Sequence, residues 1–399
     1  MSNNKFGMFI HWGLYAQTEL QEQAIARYNI PREEYEALIN SFDPVNYDPE
    51  AWVLLAKKCG MQYICFTTKH HDGFCMRDTK YTDYNIMNTP YGKDVLKLLA
   101  DACKKHDMKL SLYYSNPDWH HYYGYNPKST HQWQVVQRDE VNTEAYREYL
   151  KNQVTELLTN YGPIYTFFWD NPPCYEDRSM NEFVRSLQPS ILINDRGWGE
   201  KGDFSTPERE VPEGNRFESM TEACQAVGEQ SWGYRTDEDY YSVSFLKRSV
   251  CKIMAMGGSY LLNVGPMPSG KIDPVSADII RKVGDWYCRM EGCLEDSRPD
   301  PVPFLNARRN EPLIKLRKNG KTYFVYYNGL DSSAVNLEYY PAWPKKVRLL
   351  NNGQELEMKK TYLPNYFAPD GTSCGPHISL RGIPVDEFDS EPIVLELEW

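Results

Sequence analysis

The segments FIHWG, TKHHDGF, LYYS, FFWDN, NDRGW and DFSTPERE follow one another along the chain, and each sets side chains that can hold a proton, a charge or a hydroxyl group at or just beyond a short run of apolar or aromatic residues. His11 lies in the first. The second brings His70, His71 and Asp72 together, two imidazoles and a carboxylate that suit either a metal ion or a polyhydroxylated ligand whose hydroxyls each need a donor or an acceptor. Tyr113 and Tyr114 lie in the third, Asp170 ends the aromatic run of the fourth, Arg196 lies in the fifth, and Glu208 sits beside Arg209 and Glu210 in the sixth. Asp170 and Glu208 carry most weight as a pair. One carboxyl to attack or to guide water, and a second to protonate the departing oxygen, is what hydrolysis of a glycosidic bond requires.

Each of these residues also has an ordinary structural reading. A single His at a strand end is a common hydrogen-bonding residue, an Asp ahead of a loop caps the next helix, and a Glu among other charges is solvated. Asp170 is followed by Pro172 and Pro173, which fit a helix start and a fixed loop equally well. The functional reading rests on their company: polar groups recur at the end of one apolar run after another.

The elements that must position them read as βα units. Strands are expected at FGMFIHW, YICFTTK, KLSLYYS, YTFFWD, ILINDR and SYLLNVG, with amphipathic helices such as PEAWVLLAKKCG, GKDVLKLLADACKKHD, TEAYREYLKNQVTELLTNYG and YYSVSFLKRSVCKIMAMG between them. In a parallel α/β barrel, functional groups project from the C-terminal strand ends, where these polar residues fall. Two further strands, in DFSTPE and around Ser231–Tyr234, would complete an irregular eightfold barrel. No glycine-rich G-x-G-x-x-G follows the first strand, which argues against a dinucleotide-binding open sheet. After SRPDPVPF the pattern changes to short period-two segments broken by N-G and G-K turns, which reads as an antiparallel β-sandwich. The expected division is a catalytic barrel over residues 1–299 and a sandwich domain over 300–399.

Composition narrows the partners. Thirty Tyr and ten Trp against eight His favour stacking on flat sugar faces, although each aromatic ring serves a core as well. A net charge of -11 with no basic stretch opposes binding to nucleic acid. Ten Cys at irregular spacings, with no C-x-x-C, make neither a zinc site nor a disulfide framework and are expected to be reduced and mostly buried. No apolar run is long enough for a membrane span. Core-like sequence from the first residues predicts a cytoplasmic protein, or a secreted or periplasmic one whose leader has been removed.

Taken in order, FGMFIHWGLYA, YICFTTKHHDGFCMRDTKYTDYN, LYYS, FFWD, INDR, DFSTPE, SWGY and YLLNVGPMPSG resemble glycoside hydrolase family 29, the α-L-fucosidases, over about residues 5–272. KHHDGF is the most telling of these motifs. The resemblance implies a retaining, exo-acting hydrolase on an irregular (β/α)8-like barrel with a C-terminal β-sandwich, acting on a fucosylated oligosaccharide or glycoconjugate without metal or other cofactor. It makes Asp170 the nucleophile and Glu208 the general acid/base, with Glu218 as the alternative, although Phe217 stands where the family often has Trp. It gives His11, His70, His71, Tyr113 and Arg196 the fucose hydroxyls, Trp169 and Trp232 the pocket walls, and Phe9 or Trp232 the sugar methyl. Two readings compete. One is a metal-dependent barrel hydrolase with His11, His70, His71, Asp72 and Asp170 as ligands; the other is a catalytically silent fucose-binding protein.

Overall fold

A computed structural model describes residues 4–124, 142–172, 176–198, 202–300, 304–305, 312–338, 343–362, 376–388 and 391–399. Seven parallel strands form one curled sheet: β1 (Phe6–Ile10), β2 (Tyr63–Lys69), β3 (Lys109–Ser115), β4 (Thr166–Asp170), β5 (Leu192–Ile193), β6 (Glu222–Ala226) and β7 (Ser259–Val264). Their spatial order is β5-β4-β3-β2-β1-β7-β6. The connecting helices start where the chain supplies a cap: Asp48 accepts from Ala51 N before Pro49–Lys58, Asp94 from Lys97 N before Val95–Lys105, Asn142 from Ala145 N before Thr143–Asn160, and Ser242 from Phe245 N before Val243–Ala255.

Alternation along each strand sorts its side chains into two sets. Met8, Ile10, Ile64, Phe66, Leu112, Tyr114, Phe167, Trp169, Leu262 and Val264 pack outward against the helices in the main core. Phe9, Tyr63, Cys65, Tyr113, Phe168, Cys224 and Leu261 face one another inside the barrel. The catalytic candidates lie above this inner cluster.

The edges β5 and β6 are joined by residues 203–209. Phe204 bridges Asn194, Ser205 bridges Thr221 and Glu208 bridges Cys224, all parallel. DFSTPE therefore stands in the place of an eighth strand, and its lack of regularity has a plain cause in Pro207, which has no N–H for a ladder. The other expected strand is misplaced: Ser231–Tyr234 is loop, and the strand is Glu222–Ala226. The sequence EACQA has no β-branched residue and no alternation, because all five residues are buried.

Beyond the Pro274–Arg289 helix the chain is antiparallel. Lys346–Leu349, Ile393–Glu398, Lys321–Tyr326 and Pro312–Lys318 lie side by side in one sheet, and Ala334–Glu338, Pro376–Arg381 and Glu357–Tyr362 make another. Phe324, Tyr326, Leu349, Leu395 and Leu397 of the first meet Val335, Leu337, Ile378 and Leu380 of the second, which is a sandwich core. The opposite face of the first sheet, with Leu316, Tyr323 and Val325, packs into the barrel's outer core. Glu391 fastens the two parts by accepting from Lys247 at 2.7 Å and Arg289 at 2.6 Å. All eight described cysteines are free thiols, and only Cys288 is exposed. No helix among the described residues is long and apolar enough to cross a membrane.

Candidate active site

β4 ends on Asp170, two residues after inward-facing Phe168, so its carboxylate enters the barrel mouth. Tyr113 donates its hydroxyl to Oδ2 at 2.6 Å, Arg196 donates Nη1–H to Oδ1 at 3.1 Å, and His71 Nε2 stands 3.6 Å from Oδ2. The backbone N–H of Asn171 also donates to Oδ1, from a left-handed conformation with φ 55°. Burial opposes ionisation here, yet Arg196, His71 and the Tyr113 hydrogen bond outweigh it and hold the Asp170 carboxyl below its ordinary range. An ionised, hydrogen-bonded carboxylate at the floor of a cavity is equipped to attack an electrophilic carbon.

The same guanidinium holds the second carboxylate. Arg196 Nη2 donates to Glu208 Oε2, so Asp170 and Glu208 sit on adjacent nitrogens of one planar group. Glu208 is brought there by the closing segment: Cys224 N donates to Pro207 O at 3.0 Å and Arg209 N to Cys224 O at 3.0 Å. Arg209, at φ 54°, turns the chain directly afterwards and lays its guanidinium 4.5 Å from the Trp232 ring centre. Glu208 has 34% of its side chain exposed and Asp170 15%, which sets Glu208 toward the mouth and Asp170 toward the floor.

The walls are polar rings and apolar faces. Phe9, His11, Glu22, Gln23, His70, His71, Tyr113, Phe168, Asn171, Arg196, Cys224 and Trp232 surround the two carboxylates. His70 stacks parallel to Tyr113 with ring centres 5.6 Å apart, and His11 lies 5.3 Å from Trp232. Burial pushes the His11 imidazole down to about 3, against the pull of its Asn263 hydrogen bond, so it is neutral at ordinary pH. His71 Nδ1 meets Ser115 Oγ at 2.6 Å, and that hydroxyl donates onward to Pro117 O. Phe9 lies 5.4 Å from Phe168 and 6.2 Å from Trp232, an apolar corner in an otherwise hydrogen-bonding cavity.

The loop that presents the two neighbouring imidazoles is anchored by a buried ion pair. Lys69 donates to Asp118 Oδ2 at 3.1 Å, and Asp118 Oδ1 accepts from His120 N and His121 N. Burial works against the Asp118 anion, but Lys69 overrides it and holds the carboxyl down at about 2. The glycine of KHHDGF is required by this packing: Gly73 has φ +83°, and a Cβ there would stand 2.2 Å from Asp118 Oδ1.

Three residues expected at the site lie elsewhere. Trp169 alternates outward from Phe168 and Asp170, is fully buried against Trp198, Phe167 and Tyr114, and donates Nε1–H to Asn181; Phe168 takes its place in the cavity wall. Glu218 precedes β6, at the opposite end of the barrel from the strand termini, where it is exposed and paired with Arg216 at 2.9 Å. Asp72 turns away to accept from Tyr35 at 2.7 Å and from Phe74 N. Burial pushes its carboxyl up to about 7, the Tyr35 bond pulling the other way.

With Asp72 turned away and His11 outside the group, the metal reading reduces to His70, His71 and Asp170, whose ligand atoms lie within 4.8 Å of one another. Those atoms do not suit a cation. Both oxygens of Asp170 already accept hydrogen bonds, and the Arg196 guanidinium bonded to Oδ1 already supplies the positive charge beside it. Glu22 and Gln23 are among the wall residues the sequence did not mark, with Phe168, Asn171 and Cys224. Glu22 Oε2 accepts from Trp232 N, Gly233 N and Ser231 Oγ, and nothing around it in QEQAIA signals that role.

Paired carboxylates at the mouth of a parallel barrel, amid imidazoles, a phenol and aromatic faces, define a glycoside hydrolase. The family model described as α-L-fucosidase matches residues 1–291, and the chain belongs to that family, glycoside hydrolase family 29. Among curated proteins it is similar to the tissue α-L-fucosidase of Homo sapiens, 24% identical over 364 residues that cover 84% of this chain and 76% of that protein. Among solved structures it is similar to α-L-fucosidase isoenzyme 1 from Paenibacillus thiaminolyticus, with 32% identity, a TM-score of 0.83, and coverage of 100% of this chain and 97% of that one. It also resembles the Thermotoga maritima α-fucosidase solved with a mechanism-based inhibitor, with 25% identity, a TM-score of 0.78, and coverage of 100% and 96%.

Proposed function

We propose that this chain removes terminal α-L-fucose from oligosaccharides or glycoconjugates with retention of configuration, Asp170 acting as nucleophile and Glu208 as general acid/base. The observation that carries the reading is the shared guanidinium: Arg196 bonds both carboxylates, so both reach one reacting centre. Retaining glycosidases need their two carboxyl groups about 5 Å apart, the separation that suits direct attack by one of them.

In the first step an Asp170 oxygen forms a bond to the anomeric carbon as the bond to the aglycone oxygen breaks, and Glu208 gives that oxygen its proton. In the second, Glu208 takes a proton from water, whose oxygen attacks the same carbon and releases Asp170. Arg196 and Tyr113 keep Asp170 anionic until it attacks and stabilise it as it leaves. The neutral imidazole of His11, together with His70, His71 and Tyr113, offers donors and acceptors to the ring hydroxyls, while Phe9, Phe168 and Trp232 face the C5 methyl.

The test is the stereochemistry of the first product. Proton NMR during hydrolysis of an aryl α-L-fucoside should show α-L-fucose appearing before mutarotation, and mass spectrometry after a slow fluorinated substrate should find the sugar ester on the peptide containing Asp170. Initial release of β-L-fucose, or labelling elsewhere, overturns the assignment. A panel of 2′-fucosyllactose, 3-fucosyllactose and Lewis-type glycans defines the linkages cut.

A further inference from the structure

Asn263, at the inward face of β7, touches neither carboxylate, and nothing above gives it a part in the reaction. It is 1% exposed, and both ends of its amide are used: Oδ1 lies 2.7 Å from His11 Nδ1, and Nδ2–H donates to Trp232 O at 2.7 Å. The second bond decides the first. A backbone carbonyl only accepts, so the NH2 end must face Trp232 and the carbonyl end must face His11. An amide oxygen in turn only accepts, so His11 must carry its proton on Nδ1. A neutral imidazole protonated there has a lone pair on Nε2.

We infer that Asn263 is a positioning residue that fixes His11 as its Nδ1–H tautomer, so that the ring presents Nε2 to the sugar cavity as a hydrogen-bond acceptor for a substrate hydroxyl. The acceptor role rests on the proposed function; the tautomer does not. The chain of bonds extends further. Trp232 O is held in place because Trp232 N donates to Glu22 Oε2 at 2.9 Å, and Gly233 N and Ser231 Oγ donate to the same oxygen. One network therefore runs from Glu22 through the Trp232 peptide and the Asn263 amide to His11, tying the orientation of an aromatic wall to the tautomer of the ring beside it. Among the described residues, the charged and titratable groups that face His11, namely Asp170, His71, Arg209, His70 and Tyr113, belong to other elements, and none of these bonds to Nδ1. Asn263 is the partner of Nδ1 among the described residues and sets the proton's position.

The direct measurement is a two-dimensional 15N–1H spectrum of the full-length protein with 15N-labelled histidine, the His11 signals being assigned by their loss in His11→Gln. The expected pattern is a protonated Nδ1 and a bare Nε2, the latter far downfield; an Nε2–H tautomer or an imidazolium overturns the inference without any appeal to activity. Asn263→Leu removes both bonds at similar volume. It should convert the His11 signals to a tautomer mixture and lower kcat/KM for an aryl α-L-fucoside about tenfold or more, the worth of one buried hydrogen bond. An unchanged tautomer with kcat/KM within about twofold of wild type sinks the inference. If Asn263→Leu does not fold, the wild-type spectrum still decides. A confirmed tautomer in a protein inactive on every fucoside leaves Asn263's role standing and removes the proposed function instead.

Discussion

The barrel buries a carboxyl group at each end, and the two have opposite fates. At the C-terminal end Asp170 accepts a Tyr113 hydroxyl at 2.6 Å; at the N-terminal end Glu222, at the start of β6, accepts a Tyr63 hydroxyl at the same 2.6 Å. Both suffer desolvation. Asp170 is nevertheless held below its ordinary range, whereas burial pushes Glu222 up to about 7, the Tyr63 bond pulling only partly against it. The difference is the cation: Arg196 bonds Asp170, while neither Arg nor Lys pairs with Glu222 among the described residues. Burial alone thus drives a carboxyl toward its neutral form, and a fixed positive neighbour is what keeps a buried one ionised.

The largest break in that comparison is removal of the proposed nucleophile. Asp170→Ala should lower kcat by about 10⁴ or more, with partial recovery in azide, whose small anion enters the vacated space and yields fucosyl azide. Steady-state turnover of an aryl fucoside measures both effects, and substantial azide-free activity would remove Asp170 from its role. Glu208→Ala should come next, with a loss of about 10² to 10⁴ for natural glycans, which need a proton on the departing oxygen, and a much smaller loss for aryl fucosides with good leaving groups. Equal losses on both would take the proton donor's role from Glu208.

Arg196→Met sharpens the comparison directly, because it makes the Asp170 environment resemble that of Glu222. The loss in kcat should be about 10² to 10³, the size seen when one preorganised electrostatic partner is deleted. The sign for pH follows from cause: Arg196 lowers the Asp170 pKa, so without it the carboxylate titrates higher and the acid limb of the kcat/KM profile moves to higher pH. An acid limb that stays in place would show that Arg196 does not govern the ionisation of Asp170.

Much of the functional end was legible in the residue order, and much less of the opposite end was. Strands β1 to β4 and β7 announce themselves through apolar runs, and the period-two pattern after SRPDPVPF does mark an antiparallel sandwich. His11, His70, His71, Tyr113, Asp170, Arg196, Glu208 and Trp232 converge on one cavity. What failed has identifiable causes. The resemblance gives Trp169 a pocket wall, but strand alternation sends it to the opposite face from its neighbour Asp170. The resemblance offers Glu218 as the alternative to Glu208, but β6, which EACQA does not announce, places Glu218 just before its start, at the other end of the barrel. Glu22 and Asn263 act through bonds to residues more than 200 positions away and 252 positions away, respectively, which no local pattern reports.

Glu222→Gln gives the smallest effect and the cleanest test of the N-terminal end. The folded pKa of Glu222 is raised from 4.5 to about 7, so between those values the folded protein keeps a proton that the unfolded chain has released. Stability from this group is therefore full below about pH 4.5 and declines as pH rises toward 7, by about 3 kcal/mol in all. Gln keeps an oxygen for Tyr63 and cannot ionise, so the variant should lack this part of the decline. Denaturant unfolding at pH 5 and pH 8 compares the two proteins. Asp72, also raised to about 7, contributes a similar slope to both and cancels in the difference. The kcat/KM profile of the variant should match wild type, since Glu222 lies at the far end of the barrel from Asp170. Parallel stability curves for the two proteins would mean that Glu222 is ionised in the fold, and that burial without a cation is not enough to keep a carboxyl neutral there.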